Sequence, residues 1–190
     1  MQTGVYLYIE WTWTAVGVVW LIGALASRQA VRREGLRSRI LHMAIMAAAF
    51  FSFYSVRLRV GPLAWRFLPP SPLVEWAGFA LTVAGCAVAV WARLLLGGNW
   101  SASVTVKRDH RLIREGPYTI VRHPIYSGFL LALLGTALAL DELCGLIGLA
   151  LAFTGWRMKS RLEENFMVAQ FGADYVAYER EVKALIPFVL

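Results

Sequence analysis

Two short runs in this 190-residue chain carry side chains whose type and order could do chemistry. The first is Val121-Arg122-His123-Pro124-Ile125-Tyr126-Ser127-Gly128. It places a fixed cation and a titratable imidazole immediately before a proline. Proline disfavours helical geometry at the residue before it and suits the first position of a helix. Arg122 and His123 should therefore stand at the mouth of a helix, where free N–H groups beside a cation can receive a carboxylate or a phosphate. Binding of lipid headgroups is the competing use of the same pair. The second run is Arg161-Leu162-Glu163-Glu164-Asn165-Phe166. Leu162, Phe166, Ala169 and Ala173 keep a helical apolar stripe through it. Adjacent residues on a helix point about 100° apart, so at most one of Glu163 and Glu164 is expected to face a given site. A Glu pair on such a helix is ordinarily a solvated face. Its interest here is that the two oppositely charged runs should project from the same side of a membrane.

That membrane follows from composition and charge spacing. Hydrophobic residues make up 58% of the chain and charged residues 16%, against roughly 45–50% and 25% in soluble domains. Mean hydropathy is +0.56. Seventeen uncharged residues separate Glu10 from Arg28, Arg39 from Arg57 and Glu75 from Arg93. Eighteen lie between Arg122 and Asp141, and fourteen between Glu142 and Arg157. A bilayer core of about 30 Å needs ~20 apolar helical residues, which snorkelling flanks can shorten. The expected fold is all-α: a polytopic membrane protein with about five transmembrane helices and a cytoplasmic C-terminal helical extension. The fifth stretch is short enough to form half of a re-entrant pair turning at Asp141 and Glu142. One integral membrane domain, 1–190, is expected, with an N-terminal helical pair in 1–60 and a second part, 73–190, that carries both charged runs. A last helix, capped by Asp174, should run through Tyr175 and Tyr178 to Pro187. The first span is expected to be a retained anchor and not a secretory leader, since no Lys or Arg precedes Arg28 and Glu10 interrupts the apolar run.

Basic residues crowd alternate connections. Arg28, Arg32, Arg33, Arg37 and Arg39 follow the first span, Lys107, Arg108, Arg111, Arg114 and Arg122 the third, and Arg157, Lys159, Arg161, Arg180 and Lys183 the fifth. The positive-inside rule then puts the N-terminus outside and the C-terminus in the cytoplasm. Arg57 and Arg59 are the exceptions. The net charge of +7 reads as topology, and without basic–aromatic interleaving no nucleic-acid partner is expected. The style of the sequence, rich in Ala, Leu and Arg, suggests a prokaryotic inner membrane.

Other polar residues carry less. Cys86 and Cys144 lie within apolar stretches and read as small buried hydrophobes. His42, His110 and His123 lack ligand spacing, so no metal is expected. Trp11, Trp13 and Trp20 read as interfacial anchors. Glu10 is expected in a solvated position near the outer end of its span. Asn99-Trp100-Ser101 forms a glycosylation sequon on the side where it would not be used.

Taken together, the motifs resemble a known group. Gly-Pro-Tyr-x-x-x-Arg-His-Pro-x-Tyr-x-Gly at 116–128, Arg-x-Glu-Glu at 161–164, Phe-Gly-x-x-Tyr-x-x-Tyr at 171–178 and the terminal Ile186-Pro187-Phe188 are similar to the isoprenylcysteine carboxyl methyltransferase and phospholipid methyltransferase superfamily. Leu96-Gly97-Gly98-Asn99-Trp100-Ser101 resembles the segment that opens its catalytic half. The resemblance covers about half of the chain, from Leu94 to Leu190. It implies an enzyme that transfers a methyl group from S-adenosylmethionine, held in a cytoplasm-facing pocket outside any Rossmann fold. The chain indeed lacks a strand followed by Gly-x-Gly-x-x-Gly.

Carried over by position, His123 and Tyr126 would contact the cofactor with backbone help from Pro124 and Gly128, and Glu164 would hold its amino group. Arg122 would meet the cofactor carboxylate or an anionic acceptor. Glu163, Asn99, Trp100, Tyr118 and Tyr178 would line the pocket. Arg122 and Glu163 are the catalytic candidates. A carboxylate acceptor would need no base, whereas an amine acceptor must lose a proton to Glu163, Glu164 or His123. The expected partners are membrane lipids and a lipophilic substrate entering from the bilayer. Two alternatives stay open: a nicotinamide-dependent membrane reductase of the sterol-reductase type, and a non-catalytic lipid-binding protein.

Overall fold

Proline and one buried acid set the ends of the central helices. The computed structural model describes residues 4–25, 30–33, 35–54, 61–97, 105–107 and 112–190. Within them lie α1 (Gly4–Leu25), α2 (Leu36–Tyr54), α3 (Pro72–Leu96), α4 (Pro124–Leu140), α5 (Leu143–Phe171) and α6 (Ala173–Glu181). The all-helical expectation holds apart from a short antiparallel ribbon, β1 (Ala30–Arg33) with β2 (Thr105–Lys107), which pairs the backbones of two connections. Asn99, Trp100, Ser101, His110, Arg57 and Arg59 lie outside the described residues.

Among the described residues, three stretches are long and apolar enough to cross a membrane: Gly4–Ala24, Leu36–Phe53 and Pro72–Leu96. The fourth and fifth apolar stretches are shorter. Pro124 opens α4 and Asp141 ends it in the left-handed region (φ 51°), which leaves 17 residues, about 25 Å of helix. The gap between charges overstates this helix because it counts His123, which caps the helix from outside. α5 follows at once, is capped by Glu142 and runs for 29 residues, of which the first half, up to Trp156, is free of charged side chains.

The α4–α5 turn is locked from the second connection. The Asp141 carboxylate, 4% exposed, accepts from Arg66 Nε at 2.7 Å and from the Leu68 N–H at 2.7 Å. The Leu143 N–H donates to the Trp65 carbonyl at 3.0 Å.

The closest helix pair is α3 with α4, and glycine makes it so. Gly78, Gly85, Gly128 and Gly135 line the seam. A Cβ on Gly85 would lie 2.4 Å from Ala132 N, and one on Gly135 would lie 2.5 Å from Thr82 N. Small residues let apolar helices approach until their backbones touch, which is where association gains van der Waals contact in lipid. Thr82 and Thr136 bury hydroxyls in this seam, 3.2 Å apart, and each bonds the carbonyl four residues back.

Helix α1 packs on α3 and α4, and α2 packs on α5. The indole of Trp13 donates to Thr136 Oγ1 at 3.1 Å, and Trp20 packs against Phe129 at 4.9 Å between ring centres. Trp13 and Trp20 are thus interior packing residues, contrary to the interfacial reading. Both lie on the face of α1 that α4 covers, which position along the span does not reveal. Trp11 is exposed.

The chain end returns to the site. Gly172 (φ 56°) separates α5 from α6 and takes the capping place expected of Asp174, which lies in the first turn instead. Only glycine adopts this backbone geometry without strain. Helix α6 stops at Glu181, short of the expected Pro187, and the segment after it runs beside residues 121–123. The Arg122 N–H donates to the Lys183 carbonyl at 2.7 Å, the His123 N–H to the Ala184 carbonyl at 3.0 Å, and Ser127 Oγ to the Leu185 carbonyl at 2.5 Å. The backbone N–H groups of Arg122 and His123, just before α4, are thus bonded to this segment.

Candidate active site

At the start of α4 the two charged runs meet. Arg122 donates to Glu164 Oε1 through Nε (3.1 Å) and Nη2 (2.5 Å). Its Nη1 donates to the carbonyls of Val182 and Glu179. His123 is gripped on both edges: Nε2 lies 3.2 Å from Glu164 Oε1, and Nδ1 lies 3.3 Å from Glu163 Oε2. The Tyr126 hydroxyl donates to Glu163 Oε1 at 2.6 Å.

Both glutamates thus reach one imidazole, which corrects the expectation that only one could face a site. The two ring nitrogens lie on opposite edges of His123. A ring placed between two side chains 100° apart on α5 is met by both. The cluster is largely withdrawn from solvent, with side-chain exposures of 10% for Arg122, 9% for His123 and 13% for Glu164.

Electrostatics follow this geometry. Burial by itself lowers the imidazole of His123, but hydrogen bonds to Glu163 and Glu164 outweigh it and hold the group above its ordinary value. Burial raises both carboxylates, and their cationic neighbours more than reverse this. Glu163 is pulled below the usual range by His123, Lys159 and the Tyr126 hydroxyl, and Glu164 by His123 and Arg122.

An aromatic column leads away from the cluster into the helices. Tyr126 stacks on His123 (5.5 Å, 8° between planes) and on Trp156 (6.0 Å, 13°), and Trp156 stacks on Phe129 (5.7 Å, 16°). Beyond Phe129 and Trp156 opens a cavity of about 680 Å³, walled by α1 residues Glu10, Trp13, Thr14, Val16, Gly17 and Trp20 and by Phe50 of α2. Glu10 is exposed, as its reading as a solvated residue requires, but it stands at this cavity's rim.

The structure sorts the sequence candidates. Arg122, His123, Tyr126, Glu163 and Glu164 converge. Pro124 is the buried first residue of α4, and Gly128 faces Ala89 of α3, 2.7 Å from a built Cβ, so both act in packing. Tyr118 turns its hydroxyl to the Ala92 carbonyl (3.2 Å), and its own carbonyl accepts from the Tyr178 hydroxyl (2.5 Å). Burial pushes the Tyr118 phenol well up and that of Tyr178 to about 12. These two tyrosines brace the 3-10 turn at Gly116–Thr119. Asn99 lies outside the described residues.

One residue at the site escaped the sequence reading. Lys159 Nζ lies 6.0 Å from the centre of the Tyr126 ring. The spacing of Trp156, Lys159 and Glu163 by three and four residues placed all three on one helical face, and that signal was available.

Comparison with known proteins bears on this geometry. Residues 78–169, which hold both charged runs, match the isoprenylcysteine carboxyl methyltransferase (ICMT) family. This match and the relatives that follow support a relation of the chain to the ICMT superfamily. It is 33% identical over 118 residues to protein-S-isoprenylcysteine O-methyltransferase B of Arabidopsis thaliana, covering 59% of this chain and 58% of that protein. It is 32% identical to the Saccharomyces cerevisiae enzyme over 57% of this chain and 49% of the yeast protein. The structure of a eukaryotic intramembrane Ras methyltransferase ICMT aligns with a TM-score of 0.54 at 23% identity, over 84% of this chain and 55% of the other. That likeness shows a shared fold, and the chain spans about half the length of the relatives it matches. The ICMT match leaves out α1, α2, α6 and the Phe171–Tyr178 motif.

Proposed function

We propose that this protein transfers the methyl group of S-adenosylmethionine to a lipophilic acceptor drawn from the bilayer. The observation that carries the reading is the closure of Arg122 and His123 from α4 upon Glu163 and Glu164 from α5, with an aromatic column running from them into an apolar cavity. Arg122 and Glu163 would be the catalytic pair and His123, Tyr126 and Glu164 the cofactor contacts, with Tyr118, Pro124 and Gly128 supporting.

The donor set suits this cofactor. Glu163 and Glu164 can take an ammonium, Arg122 can take a carboxylate, and the face of Tyr126 can take a sulfonium by cation–π attraction. When bound, S-adenosylmethionine supplies an electrophilic methyl group. The protein's part is alignment, since positioning in line accounts for most of the acceleration of a direct displacement. Tyr126 is held for this by its bond to Glu163 and by Trp156. Lys159, over the same ring, is the cation placed to hold an acceptor carboxylate between the cavity and the cluster. Apolar rings beside that carboxylate would favour its reaction, since charge is annihilated on the way to the transition state. The curated relatives are named as S-isoprenylcysteine O-methyltransferases, which favours a carboxylate acceptor over an amine. The distribution of Arg and Lys favours a cytoplasmic site, with the N-terminus outside, and the composition favours a prokaryotic inner membrane.

The test is incubation of the protein in nanodiscs with methyl-labelled S-adenosylmethionine and membrane lipid extract. Label in the organic phase, released as methanol by mild base, is expected for a carboxyl ester. Absence of transfer to any lipid fraction would overturn the reading.

A further inference from the structure

The cavity behind Trp156 is not a plain hydrocarbon slot. Its walls combine one acid, Glu10, with the rings of Trp13, Trp20, Phe50, Phe129 and Trp156. Glu10 lies within an apolar span, and among the described residues its carboxylate has no ion-pair partner. Glu10 is exposed at the rim of this cavity, where the polar end of a ligand can meet it. An acid among aromatic faces is also the chemistry that holds an organic cation, by charge and by the ring quadrupoles together. The cavity has a direction. Trp20 packs with Tyr118 and Ile125 near the entrance of α4, whereas Ile9, next to Glu10, packs with Ala139 at the far end. Ten residues of α1 separate Glu10 from Trp20, about 15 Å of helix.

We propose that Glu10 is a specificity determinant: it selects lipophilic ligands that carry an ammonium group at the end remote from the Arg122–Glu164 cluster. The proposal rests on the reading of this cavity as the acceptor's place. The acceptor class is then an apolar chain bearing its methyl-accepting group at one end and a protonated amine at the other. Charge complementarity with Glu10 fixes the direction of entry, so the accepting end comes to Tyr126 and Lys159. A plain prenyl chain leaves Glu10 without a counterion.

The test needs no methyl transfer and no cofactor. Dodecylammonium carrying a bromine at its far end quenches indole fluorescence when the ammonium sits at Glu10 and the bromine comes beside Trp20 and Trp156. The full chain in nanodiscs is titrated with this probe and with the equally tagged dodecanol. The ammonium probe is expected to quench at about tenfold lower concentration than the alcohol, the range for a charge-assisted contact. Glu10→Gln should abolish that preference and leave the alcohol curve unmoved. Glu10→Lys should transfer the preference to tagged dodecanoate. Equal quenching by amine and alcohol in the wild type, or a preference that survives Glu10→Gln, would overturn the proposal. Either result would leave the methyltransferase reading intact, because that reading stands on cofactor binding and label transfer.

Discussion

Replacing Glu164 by Gln probes the joint on which the site is built. Glu164 Oε1 accepts two bonds from Arg122 and lies within hydrogen-bond distance of His123 Nε2, in a setting where Arg122 and Glu164 are 10% and 13% exposed. Removing one partner of a buried pair costs about 3–5 kcal/mol, because the other charge is left uncompensated. Here the loss is smaller. The amide oxygen of Gln still accepts one bond, and Arg122 keeps the Glu179 and Val182 carbonyls. About 2–3 kcal/mol is expected, and at about 2–4 °C per kcal/mol for a chain of this size Tm should fall on the order of 4–12 °C. The assay is thermal unfolding in nanodiscs of wild type, Glu164→Gln, Arg122→Met and the double variant. The double variant should lose at least about 1.5 kcal/mol less than the sum of the singles, well beyond the ~0.5 kcal/mol scatter of independent sites. Additive losses would mean that the α4–α5 clasp is not coupled and that the geometry argued from it is wrong.

Further outcomes follow from other contacts. His123 is raised above 6.5, so its stabilising contribution is complete below pH 6.5 and lost as pH rises through the raised value; Glu163 and Glu164 are depressed below 4.5, so theirs is complete above pH 4.5 and lost as pH falls through the depressed values. Tm against pH should plateau between about 4.5 and 6.5, and His123→Gln should flatten the alkaline limb. Gly85→Leu should abolish a monodisperse size-exclusion peak, since even a Cβ meets backbone at 2.4 Å, whereas Gly17→Ala, with nothing within 4 Å, should be silent. Tyr178→Phe removes a buried hydroxyl bond to the Tyr118 carbonyl and should lower Tm by about 2–4 °C, the equivalent of ~1 kcal/mol.

The sequence was most informative where a residue's backbone constraint and chemistry coincide. Pro124 fixes where α4 begins, so Arg122 and His123 were legible as residues at its mouth. The charge gaps located every long helix, and the apolar setting of Cys86 and Cys144 agreed with their burial as free thiols. Facing relations were harder to read. Whether Trp13 looks to lipid or to Thr136 depends on where α4 lies, which no single-helix pattern contains. The close approach of Gly128 to Ala89 on another helix is likewise absent from the pattern of its own helix. Glu163 and Glu164 were treated as rivals because the angle between them was known and the ring they share was not. The return of residues 182–185 along the start of α4 is a long-range pairing that leaves no periodic trace.

The central claim is that the Arg122, His123, Tyr126, Glu163 and Glu164 cluster is a binding site for S-adenosylmethionine. Calorimetric titration of the cofactor into nanodisc-held protein tests it most directly, with His123→Ala and Glu164→Gln measured at a temperature where circular dichroism shows all three folded. The account predicts saturable binding by the wild type and its loss in both variants. No binding by the wild type at millimolar cofactor, or undiminished binding by both variants, would contradict it.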